Sequence, residues 1–239
     1  DALAMRLAEA AGIGPGATVL DCGFGYGDQD LLWARRLEPA RIIGLNVTPS
    51  QVARARRRVV EAGLDSRVDL RQGSATSVPL PDESVDAVVA LESAFHFRTR
   101  EAFFREAWRV LRPGGRLATA DILPLPPAPG LRRRLEQRLS WGLVASRFAI
   151  PAENAYPAAA YRAKLVQAGF RDVALESIRD RVYAPLHHYL AAHPEALRRL
   201  HPLPRLLARL ALRRSPGSVY RGLDYVLAAA IKPNPALHR

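Results

Sequence analysis

The sequence predicts an α/β fold with a mainly parallel sheet and helices on both faces. Strand and helix patterns alternate through the first half, Ser84–Leu91 is mostly apolar, and a glycine-rich turn links the first strand to a helix. Such alternation is what strand–helix–strand crossovers produce. A strand covered on both faces also loses the polar/apolar alternation of a half-exposed sheet.

The elements follow in order. Ala2–Ala8 is amphipathic and does not resemble a signal peptide. Thr18–Cys22 reads as a buried strand that runs into three alternate glycines. A helix begins near Gln29 and is clearest over Leu31–Arg36. Arg41–Asn46 is a strand, Gln51–Ala62 an arginine-studded helix, Val68–Gln72 a third strand and Ser84–Leu91 a fourth. Arg100–Leu111 is an amphipathic helix, stopped at Arg112-Pro113-Gly114-Gly115 because proline and glycine break the period. Arg116–Asp121 is the fifth strand.

After Asp121 the rhythm breaks. The proline-rich Leu123–Gly130 stretch reads as a linker. Leu131–Phe148 is a basic helix, Ala149–Pro157 a loop, Ala158–Ala168 a helix capped by Gly169, and Asp172–Ile178 a strand. Pro185–Arg214 is a helical insertion broken at His201-Pro202-Leu203-Pro204, and Asp224–Ile231 closes the sheet. The 239 residues suit one domain with two insertions, about 122–157 and 184–219. Both follow strands, which places them near the carboxyl edge where open α/β sheets bind ligands. The expectation is a substrate cap, with plain elaboration as the other reading.

Composition narrows the function. The net charge of +12 is almost all arginine, since only Lys164 and Lys232 are lysines. Charge alone speaks to solubility and non-specific binding, and no RNA-binding or helix-turn-helix signature accompanies it, so nucleic acid is not the expected partner. One cysteine excludes a disulfide framework and any multi-cysteine metal site. No metal is expected at His187-His188, which lacks neighbouring acidic or cysteine ligands. No apolar run reaches the roughly 18–20 residues of a membrane span. The expected setting is cytoplasmic.

The glycine turn reads D-x-G-x-G-x-G over Asp21–Gly27, not the G-x-G-x-x-G of dinucleotide sites. Glycines there allow a tight turn and close approach of backbone to ligand, and the next helix offers unpaired N–H groups. Four later phrases stand in register with it: G-L-N-V-T-P-S-Q, G-S-A-T-S-V-P-L, A-L-E-S-A-F-H-F and R-V-L-R-P-G-G-R-L-A-T-A-D-I. Together these resemble the class I S-adenosylmethionine-dependent methyltransferases. Among them, the chain is similar to the small-molecule enzymes of the erythromycin 3''-O-methyltransferase and antibiotic sugar O-methyltransferase kind. The resemblance implies a Rossmann-like fold, a seven-stranded sheet with an antiparallel last strand, and S-adenosyl-L-methionine as cofactor.

It also implies roles for individual residues. Gly23, Gly25 and Gly27 would line the methionine moiety, with Asp21 beneath them fixing the turn and Gln29 at the helix start. Asn46 stands where many members carry an acid for the ribose hydroxyls, and an amide can donate to one hydroxyl and accept from the other. Val47 adjoins it, and Gln51 matches a ribose-holding glutamine or is a solvated helix start. Ser74 and Ala75 fall at the adenine position, and the Leu91 carbonyl at the cofactor amino group. Members usually carry further residues that close over the cofactor; no residue here is assigned that lid role.

Methyl transfer to an alcohol calls for a base, because an alcohol is a poor nucleophile with a very high pKa. His96 is the natural candidate, and the sugar methyltransferases carry a histidine there and an aspartate at Asp121. That carboxylate would fix the imidazole tautomer or hold a substrate hydroxyl. Packing of His96 between Phe95 and Phe97, and Asp121 as a loop cap, are the bland alternatives. Glu92 is a secondary candidate.

From Ala196 to Leu223 stand Arg198, Arg199, Arg205, Arg209, Arg213, Arg214 and Arg221, with no acidic residue in the segment and leucines interleaved. A solvated helix face with its leucines on the core, an anionic or lipid-like substrate or membrane surface, and a partner surface are the three readings. Three functions stay open. The first is O-methylation of a bulky natural product with His96 as base. The second is C-methylation of an isoprenoid, quinone or lipid, and the third a cofactor-binding partner subunit without turnover. The partner expected is a small molecule, hydrophobic or anionic, and a homo-oligomer is left open.

Overall fold

The computed structural model describes residues 1–199 and 201–235. Seven strands form one sheet: β1 (Thr18–Cys22), β2 (Arg41–Asn46), β3 (Val68–Gln72), β4 (Val85–Leu91), β5 (Leu111–Pro124), β6 (Arg171–Ser177) and β7 (Leu223–Ile231). Their spatial order is β3-β2-β1-β4-β5-β7-β6. The first five are parallel, and β7 runs antiparallel to both β5 and β6. The strand order reverses at β1, between β2 and β4, and such a switch point opens a crevice beyond the carboxyl ends.

Helices cover both faces. α1 (Ala2–Ala11), α2 (Asp28–Arg36) and α3 (Pro49–Glu61) pack on one, where Leu7, Trp33, Val52 and Val59 join Val19 and Ile42 in a core. The buried Trp33 Nε1 donates to the Ala4 carbonyl at 3.0 Å and ties α1 to α2. α4 (Arg100–Val110) packs on the other face. Beyond the 17-residue α5 (Leu131–Arg147), α6 (Ala158–Gln167) joins α4 there, with Phe103, Phe104, Tyr161 and Leu165 buried against Leu20 and Val88.

Local chemistry sets several boundaries. α3 starts at Pro49, two residues before the expected Gln51, because a first-turn proline gives up an N–H that has no helical partner. α2 starts at Asp28, one residue before Gln29. Thr99 caps α4, its hydroxyl accepting from the Ala102 N–H at 3.3 Å.

β5 differs most from expectation, running from Leu111 to Pro124 where Arg116–Asp121 was predicted. The Arg112–Gly115 breaker is absorbed as a bulge: Leu111 pairs with Val85 and Arg116 with Ala87. Its glycines are held by Lys232, which exchanges backbone bonds with Gly114 and Gly115 at 2.8 and 2.9 Å. At the far end Leu123 and Pro124 pair with β7 instead of entering a linker. The Leu125 N–H donates to Gly222, so the N–H that Pro124 lacks would face the side where β4 has already ended.

Two segments depart from the alternating pattern. Between β5 and α6 lie α5 and a short turn at Ala152–Asn154; between β6 and β7 lie α7 (Arg179–Ala192), a turn at Pro194–Arg199, α8 (Pro202–Ala211) and α9 (Pro216–Val219). α7 begins five residues before the expected position 184 and continues through Pro185. Burial of Tyr183 and His187 holds it in place despite the proline. The expected break at 201–204 falls where α8 begins: His201 is its extended N-cap, and Pro202 and Pro204 sit in its first turn, where prolines are tolerated. Leu200, one of the interleaved leucines, lies outside the described residues. Leu206, Leu207 and Leu210 are exposed, so the reading that turned these leucines to the core is corrected. On α5 no residue is buried, and Leu131, Leu135, Leu139 and Leu143 form an exposed stripe. Among the described residues no helix is long and apolar enough to cross a membrane.

Candidate active site

The carboxyl ends of β1 to β4 surround a cleft of about 530 Å³. Of the residues singled out from sequence, Gly23, Gly25, Asn46, Val47, Gln51, Ser74, Ala75, Glu92 and His96 line it. Asp21, Gly27, Gln29, Leu91 and Asp121 do not line it. Leu45, Thr48, Gly73, Thr76, Ser93, Phe97 and Arg98 complete the wall and were not singled out.

The floor is the glycine turn. Gly23 has φ +89°, and a Cβ there would fall 2.4 Å from the Ser93 Cβ. Ser93 in turn donates to the Cys22 carbonyl at 2.6 Å, which draws the ends of β1 and β4 together. Gly25 has φ +57° with nothing within 4 Å of where its Cβ would stand. This open backbone is a cradle that a side chain would fill. Gly25→Val is expected to weaken S-adenosylhomocysteine binding at least about tenfold, since its side chain would occupy the open space into which the ligand must pack against the backbone. Isothermal titration calorimetry checks it, and unchanged affinity would remove the cradle from the account.

Beneath the turn, Asp21 is fully buried and accepts from Gln29 Nε2 at 2.9 Å. The Asp30 carboxyl is also buried, beside that of Asp21. Burial pushes Asp21 up to about 7 despite the Gln29 bond. Burial and then the Asp21 charge push Asp30 well above the usual carboxylate range. Both folded values exceed the unfolded value near 3.9, so the folded state binds more protons and stability falls as pH rises from about 4 to about 7. Asp30→Asn is expected to raise the Tm near pH 8 and flatten the decline from about pH 5 to about pH 8. Thermal melts check this; a wild-type Tm that does not fall over that range would contradict it.

At the end of β2, Asn46 is engaged within the protein. Its Nδ2 donates to Gln51 Oε1 at 2.9 Å and to the Gly25 carbonyl at 3.3 Å, and its Oδ1 accepts from Thr48 N–H at 3.0 Å. The Asn46 amide thereby orients Gln51. Ser74 Oγ is likewise taken up in a turn, 2.9 Å from Thr76 Oγ1 and accepting from the Thr76 N–H at 3.2 Å.

Just past β4, His96 ends a short turn, Ala94–His96. Its ring lies 4.3 Å from that of Phe95. Partial burial lowers its pKa below the ordinary imidazole value; the Phe148 backbone and the Asp121 charge act the other way without cancelling this. The imidazole is thus neutral at pH 7 and able to accept a proton. Glu92 sits at φ +52°, its Oε1 accepting from the Tyr225 hydroxyl at 2.8 Å.

Asp121 corrects the expectation of a carboxylate hydrogen-bonded to His96. It is fully buried, and its Oδ2 and Oδ1 accept from Arg100 Nε and Nη2 at 2.8 and 3.1 Å. The Ile122 N–H adds a bond to Oδ1 at 2.9 Å. Its effect on His96 is that of a nearby charge. The buried Arg100 was missed, although a signal was present: it shares the buried face of α4 with Phe103, Phe104, Ala107 and Val110. An arginine at helical spacing within an apolar stripe needs a buried anion. Asn154, also fully buried, carried no such signal. Among the described residues no cluster of His, Cys, Asp and Glu could hold a metal ion.

Residues 20–119 match the methyltransferase domain family. The chain is 41% identical over 249 positions to erythromycin 3''-O-methyltransferase of Saccharopolyspora erythraea, covering 97% of this chain and 77% of that protein. It is 39% identical over 132 positions to 27-O-demethylrifamycin SV methyltransferase of Amycolatopsis mediterranei, covering 55% and 48% of the two. The fold matches that of geranyl diphosphate C-methyltransferase from Streptomyces coelicolor A3(2) with a TM-score of 0.74 at 19% identity, over 97% and 80% of the chains. Identity of this extent to the first relative, across nearly the whole chain, shows that the protein belongs to the class I S-adenosylmethionine-dependent methyltransferases, enzymes of Rossmann-like fold.

Proposed function

We propose that the protein methylates a hydroxyl of a bulky small molecule in the biosynthesis of an antibiotic or related natural product, with His96 as general base. The observation that carries this reading is the His96 imidazole on the wall of the glycine-floored cleft, at the end of a turn just past β4. S-adenosylmethionine, when bound, supplies an already activated methyl group. The chain must hold cofactor and acceptor in line, exclude water and take the hydroxyl proton, which His96 Nδ1 or Nε2 accepts. The backbones of Gly23 and Gly25, the Gln51 amide set by Asn46, and Ser74 and Ala75 form the cofactor side, with Val47 flanking; Asp21, Gly27 and Gln29 support the turn and Leu91 ends β4 behind the lining. Asp121 stabilises the imidazolium through its charge. Glu92, held by Tyr225, is a secondary candidate for contact with the acceptor. The two segments after β5 and β6 supply the acceptor cap. The names of both relatives describe antibiotic substrates, which supports the acceptor class.

A second reading, C-methylation of an isoprenoid, quinone or lipid, draws on the exposed leucines set among arginines on α5 and α8. Incubation with methyl-labelled S-adenosylmethionine and two panels, glycosylated macrolides and isoprenoid diphosphates, separates the two. A methoxy product is expected from the first panel. A new C–CH3 product from the second panel alone would overturn the O-methyltransferase reading.

A further inference from the structure

We propose that Asn154 is a positioning residue that fixes the turn carrying His96 and ties the segment after β5 to the base. The inference rests on the reading of His96 as base. Asn154 Nδ2 donates to the carbonyls of Phe95 and Phe97, at 3.1 and 2.8 Å, the residues on either side of His96. Its Oδ1 accepts from the Arg100 N–H at 3.1 Å, at the start of α4. The Asn154 backbone carbonyl accepts from Arg100 Nη1, while the same guanidinium grips Asp121 and the Ile122 carbonyl. One buried amide therefore grips the His96 turn at both flanks, and the arginine behind it is anchored on β5.

Only an amide side chain has the chemistry for this place. Two carbonyls and one N–H face the site, so the group needs two donors and one acceptor in a plane, which an amide supplies. An aspartate would present acceptors to acceptors. The arrangement also continues to the ring: Phe95 meets Phe148, at the end of α5, edge to face at 6.0 Å, and the Phe148 backbone faces His96. Movement of the segment after β5 is thereby felt at the imidazole. Asp121, across the Arg100 pair, is the charge that acts on the ring.

The test is a nuclear magnetic resonance titration of the imidazoles in wild type, Asn154→Ala and Asn154→Ser, with His96 identified among the six histidines by its loss in His96→Gln. Calorimetric binding of S-adenosylhomocysteine, whose cleft Asn154 does not line, reports whether each variant is folded. The wild-type midpoint is expected below the ordinary value of about 6.5. Asn154→Ala is expected to shift it upward towards that value, and Asn154→Ser, which keeps one donor, partway. If the alanine variant fails to fold, the serine variant decides. Folded variants with the wild-type midpoint would overturn the proposal, leaving Asn154 a structural residue. A shifted midpoint with an unchanged methyl-transfer rate would support the positioning role and overturn instead the reading of His96 as base.

Discussion

His96→Gln is expected to slow methyl transfer to a hydroxyl acceptor roughly 10²–10⁴-fold, the usual contribution of a positioned general base. S-adenosylhomocysteine affinity should stay within about twofold, because the floor is glycine backbone and Gln51 stands on a different element, in the first turn of α3. The loss should appear in kcat, since the base acts on the transition state. Glutamine keeps the approximate size and a hydrogen-bonding end but cannot take a proton at neutral pH. Single-turnover transfer from labelled cofactor measures the effect. A loss below about tenfold would move the base elsewhere, with Glu92 next in line.

Arg100→Met is the stability counterpart. Arg100 and Asp121 are both fully buried and joined by two hydrogen bonds, so removing the guanidinium strands a carboxylate in the core. Breaking such a pair costs about 3–5 kcal/mol. For a chain of this size that is a fall in Tm on the order of 10 °C. Arg100 also holds the Asn154 backbone and stands over the rings of Tyr156 and Tyr161 at 5.2 and 5.5 Å, so the loss spreads to the His96 turn. The double variant Arg100→Met/Asp121→Leu should recover part of the stability, because a matched apolar pair needs no charge compensation. Urea melts of the set decide it; a single variant as stable as wild type would show the pair to be dispensable.

The sequence revealed most of the sheet, and the exceptions have physical causes. β1, β2 and β4 are buried on both faces, which writes their presence as apolar runs. The length of β5 is set by its partners: Arg112–Gly115 reads as a stop, yet bonds to Lys232 hold it as a bulge. In the site, the glycine floor and the placement of His96 were legible because turn geometry and strand ends are local properties. The partner of Asp121 was not, because Arg100 reaches it across 21 residues of chain. Asn46 shows the same limit. Its position at the end of β2 was evident, but its amide is spent on Gln51 and Gly25. The amphipathic character of α8 was plain, whereas nothing in a leucine pattern says which way its apolar face turns.

The most direct test of the central claim is the pH dependence of single-turnover methyl transfer in wild type and His96→Gln, from about pH 5 to about pH 8 with saturating labelled S-adenosylmethionine. A neutral His96 base predicts a wild-type rate that is level at neutral pH and falls on the acid side, with its midpoint below about 6.5. That acid limb should be missing from the slow residual rate of the variant. A wild-type rate independent of pH, or the same acid limb in both proteins, would contradict His96 as the base.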